Sequence, residues 1–363
     1  MPLSTKAVEG IKGTLDHFVK GGSPDLAFHA IDKSGKTLVE HASGTLGIDS
    51  SEPMDTQSTI FWIASCTKLV TAIAVLQLIE QGKVPLDDAE FVKKTVPELS
   101  EKKVYADGIN GVEQEKGVTM RMLLSHTAGF GYRFADPRLQ ADGIEGSGGN
   151  RRDILDAKMV NQPGSMWEYG VNLDWAGIIL ERVTSTLKER EHLYAGPLSC
   201  TKENQTDFLQ SGGAGLWSRP SEYVKILAAL LNDGTSPQTQ NRILKKESVD
   251  LMWENQIPSQ PDFARSNVPP ANPLLVNQSA DMYPQPGNPP QGWGFGGFIT
   301  IEPGPSGRGA NTLWWMGLCN CFWWVDREKG VAGMLASQVL PNGDPKVIPA
   351  WFMAEKGIYD ALE

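Results

Sequence analysis

Phe61-Trp62-Ile63-Ala64-Ser65-Cys66-Thr67-Lys68 is the stretch from which the rest of the chain can be read. An apolar tetrapeptide runs into Ser65. Leu69, Val70, Ala72, Ile73, Ala74, Val75, Leu76, Leu78 and Ile79 follow, and Gly82 supplies a C-terminal stop. Apolar residues cover nearly every face, so the pattern predicts a helix buried all round rather than an amphipathic one. At 1.5 Å per residue it would run roughly 24 Å. Ser65 would occupy its first turn, where free N–H groups and the positive end of the helix dipole favour developing negative charge. Lys68, three residues on, falls on the same face. A hydroxyl beside an amine at the mouth of a buried helix suits a nucleophile and its base. Ser100, Ser185 and Ser199 also precede a lysine by three residues, so the pattern alone is weak. Those three lie in polar stretches with no apolar helix attached, whereas an amine opening a buried helix needs a reason or a partner.

At 363 residues the chain can hold one large domain or two intimate ones. A formal net charge of −10, spread along the chain, argues against a general nucleic-acid surface. The first residues lack a basic segment followed by an apolar run, and no apolar run reaches membrane-spanning length. Cys66, Cys200, Cys319 and Cys321 show no disulfide-scaffold spacing, so free thiols in a reducing compartment, and a cytoplasmic location, are expected.

Residues 5–20 read as an amphipathic helix, and 25–31 and 37–42 as two strands joined at Lys33-Ser34-Gly35-Lys36. A mostly helical middle follows Pro85. It includes a short helix over 118–125, a Gly-rich loop over 129–152, a helix over 153–160 and another over 173–186. Gly212-Gly213-Ala214-Gly215 is a tight turn before a helix over 221–232. Residues 256–291 form a long Pro/Asn/Gln-rich loop, either on the surface or in a site wall. Strands follow over 293–301, 311–317, 321–326 and 331–337, then a helix over 345–361. The order implies an α+β fold: one antiparallel sheet built from both chain ends, flanked by helices, with an inserted helical domain. The expected division is 1–84 with 212–363 for the sheet domain and 85–211 for the helical one.

No Gly-x-Ser-x-Gly elbow is present, and the histidines lack metal spacing, so neither a metal nor a cofactor is expected. Gly292-Trp293-Gly294-Phe295-Gly296-Gly297 matches a dinucleotide pattern but opens a strand, so it reads as a sheet-edge feature. Tyr169, in a turn between Pro163-Gly164 and the next helix, is the candidate third member of a proton-passing set with Ser65 and Lys68. An oxyanion hole needs two converging N–H groups. One would belong to Ser65; Trp315-Met316-Gly317-Leu318 offers a glycine where a second backbone segment could approach.

Taken in order, the Ser65–Lys68 stretch, Leu123-Leu124-Ser125-His126-Thr127-Ala128-Gly129, Pro163-Gly164-Ser165 with Tyr169, and Gly212-Gly213-Ala214-Gly215-Leu216 resemble the class C β-lactamase-like serine hydrolases. The resemblance spans about residues 5–360 and is strongest to the esterase and lovastatin-acyltransferase-like branch. It implies a β-lactamase/transpeptidase-like fold, an acylated Ser65, and Lys68 and Tyr169 as bases. It also puts the Leu318 N–H in the oxyanion hole, with Trp315 and Gly317 beside it. The family's Tyr-x-Asn is here Tyr169-Gly170-Val171-Asn172, with the asparagine one place late, and residues 187–211 are shorter than in relatives.

These readings lead to an esterase or transesterase working through a Ser65 acyl-enzyme on an apolar, polyketide-like ester or thioester, with an acyl-carrier protein as a candidate donor. Trp315, Gly317, Asn172, Trp293 and Phe130 are the candidate substrate-binding residues. The alternatives are an amide hydrolase of the β-lactamase or peptidase type, and a non-catalytic binding protein that kept the fold. No nucleic-acid or membrane partner is expected, and the oligomeric state stays open.

Overall fold

Side chains alternate across the C-terminal strands, and this alternation organises the sheet. In chain order the elements are α1 (Thr5–Lys20), β1 (Leu26–Asp32), β2 (Thr37–Ser43), β3 (Phe61–Trp62), a 3-10 turn (Ala64–Cys66) and α2 (Thr67–Glu80). Then come α3 (Ala89–Thr95), α4 (Pro97–Ser100), α5 (Met120–Leu124), α6 (Pro137–Gln140), α7 (Arg151–Leu155) and α8 (Asn172–Thr184). The chain ends with β4 (Trp217–Ser218), α9 (Pro220–Leu231), α10 (Lys246–Trp253), β5 (Gln291–Gly294), β6 (Gly297–Thr300), β7 (Thr312–Gly317), β8 (Cys321–Asp326), β9 (Val331–Ala336) and α11 (Val347–Asp360). The computed structural model describes residues 3–140, 151–184, 210–265, 269–278 and 281–362. The expected shortening over 187–211 lies almost wholly outside the described residues.

The chain divides into two units, Met1–Cys66 with Leu216–Glu363, and Thr67–Gly215. The boundary falls at Cys66 instead of residue 84, because α2 packs on α8 and its Lys68 and Thr71 side chains bond to the carbonyls of Gly213 and Gly212.

In the first unit seven strands form an antiparallel sheet in the order β2-β1-β9-β8-β7-β6-β5. Cross-strand partners Trp314 and Trp324 lie on one face, Trp315 and Trp323 on the other. Trp351 of α11 packs against Trp314 and Phe322, and Tyr223 of α9 against Trp323, so α11 and α9 cover opposite faces. α1 packs on α11, where Gly357 leaves room for Ile11. The stretch expected to be one strand over 293–301 is the β5–β6 hairpin, turning at Phe295-Gly296, with Gly296 at φ 97°. α10 was not foreseen.

Beneath α11, Arg308 Nε and Nη2 each donate to Glu355 at 2.6 Å, and the Ser306 hydroxyl donates to the same carboxylate. Tyr283, Trp314 and Trp351 surround the guanidinium. Glu355→Ala is expected to cost about 3–5 kcal/mol in denaturant unfolding, because it strands a buried cation, and Arg308→Met in that background should recover part of the loss.

The second unit centres on α8, which is buried along most of its length and contacts α2, α3 and α5. α2 is buried at Thr67, Lys68, Leu69, Thr71, Ala72, Ile73, Val75, Leu76 and Leu78, as its all-round apolar sequence predicts. It stops where expected: Gly82 takes φ 68°, and its N–H and that of Lys83 return to the carbonyls of Ile79 and Leu78. Among the described residues no helix is long and apolar enough to cross a membrane.

Candidate active site

In the first unit, Ser65 sits in the 3-10 turn just before α2 and not in the helix itself. Its own side chain is half-buried while Ala64 and Cys66 are buried. Ala64 holds φ 43°, a left-handed conformation that a residue with a side chain adopts only when its surroundings impose it. The surroundings are explicit. β3 pairs with β4, the Ile63 N–H donates to the Leu216 carbonyl at 3.1 Å, and the buried Tyr223 hydroxyl donates to the Cys66 carbonyl at 2.8 Å. Gln338 receives the Trp62 N–H at 3.1 Å and donates to its carbonyl at 2.9 Å.

The end of β7 reaches the same turn. A Cβ on Gly317 would lie 2.5 Å from the Ile63 carbonyl oxygen, so only glycine permits this approach. The following turn carries Leu318, which is half-buried. Asn342 donates to the Gly317 carbonyl at 3.0 Å, and Asn320 donates at 2.9 Å to the carbonyls of Val339 and Pro341. Cys319 lies within this turn and Cys321 opens β8, with their sulfurs 3.6 Å apart; Cys319 donates to the Trp62 carbonyl at 2.9 Å. Cys66, Cys319 and Cys321 are free thiols, as expected.

In the second unit, Lys68 has no exposed surface. Its Nζ donates to the Gly213 carbonyl at 2.9 Å and to the Tyr132 hydroxyl at 3.1 Å, and lies 4.8 Å from the centre of the Tyr169 ring. Sequence reasoning found Lys68 and Tyr169 but missed Tyr132. Its signal was a phenol in the Gly129-Phe130-Gly131 loop directly after the Ser125-His126 motif. Burial, then the Asp174 carboxylate and the neighbouring Tyr169, push the Tyr132 hydroxyl well above the usual phenol range, so it stays protonated.

Asp174, in the first turn of α8, is the other residue that was missed. Its Oδ1 accepts from the Ser211 hydroxyl at 2.5 Å and from the Gly213 N–H at 3.0 Å. The residue whose carbonyl receives Lys68 is therefore held by a buried carboxylate through its N–H, and the next N–H, that of Ala214, donates to the Ser211 hydroxyl at 2.9 Å. A side chain at Gly213 would collide with that carboxylate, which explains a glycine there. Burial pushes the Asp174 carboxyl up, and the charge of Lys68 pulls it back.

Asn172 makes structural ties. Its Nδ2 donates to His126 Nδ1 at 2.9 Å and to the carbonyls of Phe130 and Glu168 at 3.2 Å. Because Nδ1 accepts, the ring proton of His126 sits on Nε2, and burial keeps the imidazole neutral, well below its usual range. The expected substrate role of Asn172 gives way to this one, since its side chain is wholly buried. Three aromatic expectations change for the same reason. Trp293 and Trp315 meet edge to face at 4.5 Å, Phe130 stacks on Trp175, and all three are at most 2% exposed, so they pack the core and present no open wall.

Glu168, next to Tyr169, has its carboxyl pushed up to about 7 by burial and by Asp136, against the pull of Arg138. The folded state therefore holds this proton more tightly than the unfolded chain does. The resulting stability is fully present below the ordinary glutamate range and is lost as pH rises through about 7. Thermal unfolding should show wild-type stability falling between pH 5 and 8 relative to Glu168→Gln, whose curve lacks this component.

Residues 11–357 match the Beta-lactamase family. The chain is 30% identical to the lovastatin esterase of Penicillium rubens, over 87% of this chain and 89% of that one. It is 29% identical to a monacolin J acid methylbutanoyltransferase of Aspergillus terreus, over 78% of each. A simvastatin synthase LovD6 mutant from Aspergillus terreus superposes with a TM-score of 0.73 at 25% identity, covering 99% of this chain and 98% of that one. The expected β-lactamase-like fold and acyl-transfer class are thereby borne out, and the chain belongs to the beta-lactamase family as a serine hydrolase or acyltransferase.

Proposed function

We propose that Ser65 accepts a small apolar acyl group from an ester or thioester and passes it to an alcohol or to water. One observation carries the assignment of residues: three positions beyond half-buried Ser65, a fully buried ammonium stands against the Tyr132 hydroxyl and the Tyr169 ring. Ser65 Oγ bonds to the acyl carbon while its proton passes to the Lys68–Tyr169 pair, which reacts in the form that carries one proton fewer than ammonium with phenol. Charge gathers on the carbonyl oxygen, received by the N–H groups of Ser65 and Leu318. The C–O or C–S bond then breaks, and the leaving alcohol or thiol takes the proton. In the second half an acceptor gives its proton to the same pair and leaves with the acyl group, restoring Ser65.

By likeness to the relatives named above, the scaffold is a polyketide-like alcohol and the acyl chain is short and branched. Thioester donors, including one on a carrier protein, fit the same chemistry, and reduced thiols favour a cytoplasmic site. A lactam- or peptide-cleaving role has less support, because Trp315 stands where the lactamases carry a cation for the substrate carboxylate, and it is buried.

Incubation with a fluorophosphonate probe and a p-nitrophenyl ester series tests the reading. Labelling at Ser65 and turnover of short esters are expected; absence of both would leave a binding protein. Adding an alcohol acceptor divides the branches: new ester indicates transfer, and release of free acid alone indicates hydrolysis.

A further inference from the structure

The two tyrosines beside Lys68 both stand on irregular backbone, Tyr132 between α5 and α6 and Tyr169 just before α8. Irregular backbone moves unless something holds it. Here one guanidinium bonds to groups beside both. The Tyr132 carbonyl accepts from the N–H groups of Ala135 and Asp136, at 3.0 and 2.9 Å, which closes a turn onto Asp136. Asp136 is buried; its Oδ1 accepts from the Arg138 backbone N–H at 2.8 Å, and its Oδ2 accepts from Arg138 Nη2 at 2.7 Å.

The same Nη2 donates to Glu168 Oε2 at 3.0 Å. Nη1 donates to the Val160 carbonyl at 3.1 Å and to Asn161 Oδ1 at 3.2 Å. Asn161 Nδ2 adds a bond to Glu168 Oε2 at 3.1 Å, and the Glu168 N–H donates to the His126 carbonyl at 2.8 Å. Arg138 thus joins the turn that begins at Tyr132 to the residue that precedes Tyr169. The two phenol rings sit 5.3 Å apart, centre to centre.

Asp136 is buried while Glu168 and Arg138 are half-buried, and burial of Glu168 together with the nearby Asp136 carboxylate lets Glu168 keep its proton to about pH 7 against the pull of Arg138. The groups facing Glu168 are Asp136 and Arg138 on one side and uncharged Asn161 on the other, with neutral His126 against Tyr169. Arg138, Asp136 and Glu168 touch none of the reacting groups themselves.

We propose that Arg138 is a positioning residue for acyl transfer, fixing Tyr132 and Tyr169 against the Lys68 ammonium through its bridge between Asp136 and Glu168. The inference rests on the acyl-transfer reading above. Lysine lacks the second nitrogen that ties the bridge to the Val160 carbonyl and Asn161, so it keeps only part of it.

Steady-state kinetics on a p-nitrophenyl ester test it, with Arg138→Ala, Arg138→Lys and Glu168→Gln beside wild type. Arg138→Ala is expected to lower kcat by about 10²-fold with little change in KM, as misplaced catalytic groups do. Arg138→Lys should recover only part of this. Glu168→Gln should lose activity several-fold at pH 8, and its kcat/KM profile should lack the inflection near pH 7 that wild type shows. A folded Arg138→Ala with wild-type kcat, or a loss confined to KM, overturns the proposal. If Arg138→Ala does not fold, Glu168→Gln decides, and wild-type kcat with an unmoved profile overturns it. Fluorophosphonate labelling of wild type separates the two readings. No label at Ser65 removes the acyl-transfer reading; a labelled enzyme indifferent to Arg138 removes only this inference.

Discussion

Ser65→Ala is expected to abolish fluorophosphonate labelling and to lower ester turnover by about 10⁵-fold or more, as removal of a covalent nucleophile does elsewhere. The fold should survive. Ser65 is half-buried, and the turn around it is held by backbone and neighbouring side chains: Ala64 at φ 43°, the Tyr223 bond to the Cys66 carbonyl, and the Gln338 clamp on Trp62. Losing one oxygen from a partly exposed position removes little packing, so the unfolding midpoint should stay within a few degrees of wild type. The two measurements together carry the meaning. A stable variant that keeps its turnover would show that another residue performs the chemistry.

Lys68→Met should cost about 10³- to 10⁴-fold in kcat/KM, near the upper range for loss of a proton-transfer group. Unlike Ser65→Ala, it should also weaken the fold. Lys68 donates to Gly213 and Tyr132 with no exposed surface, and methionine leaves both acceptors without that donor, at about 1–3 kcal/mol. The charge that pulls the buried Asp174 carboxyl down disappears too. The folded Asp174 then holds its proton more tightly, so the variant's extra instability should grow as pH rises and shrink toward pH 5. Denaturant unfolding at the two pH values reads the sign. A variant with turnover within tenfold of wild type would remove Lys68 from the base role.

Comparison of α2 with the aromatic strands shows where sequence reasoning succeeds. Gly82 ends α2 and the apolar run fills it, because both signals are local: helix period and a positive-φ stop act over a few residues. Trp293, Trp315 and Phe130 were assigned to a pocket wall because aromatic density marks interfaces and cores alike. Which face each ring takes depends on strand register and on which helix covers that face, and composition carries neither. Tyr132 and Asp174 escaped for a related reason. They join Lys68 across 64 and 106 positions of chain, directly in one case and through the two polar backbone groups of Gly213 in the other.

The amino-acid sequence alone determined the class of fold and pointed to Ser65 as the candidate nucleophile, with its neighbouring lysine and the candidate phenol Tyr169. Each is written in short motifs whose spacing is set by a single turn or helix. Only the tertiary structure decided what surrounds them. It moved Ser65 out of the helix into a 3-10 turn, gave Lys68 the Tyr132 hydroxyl and a carbonyl held by Asp174, and turned Asn172 from a substrate contact into a brace for His126. Those outcomes depend on close approach between distant segments. Approach of that kind is governed by where glycines such as Gly213 and Gly317 leave room and where buried polar groups find partners, and neither is settled until the chain has folded.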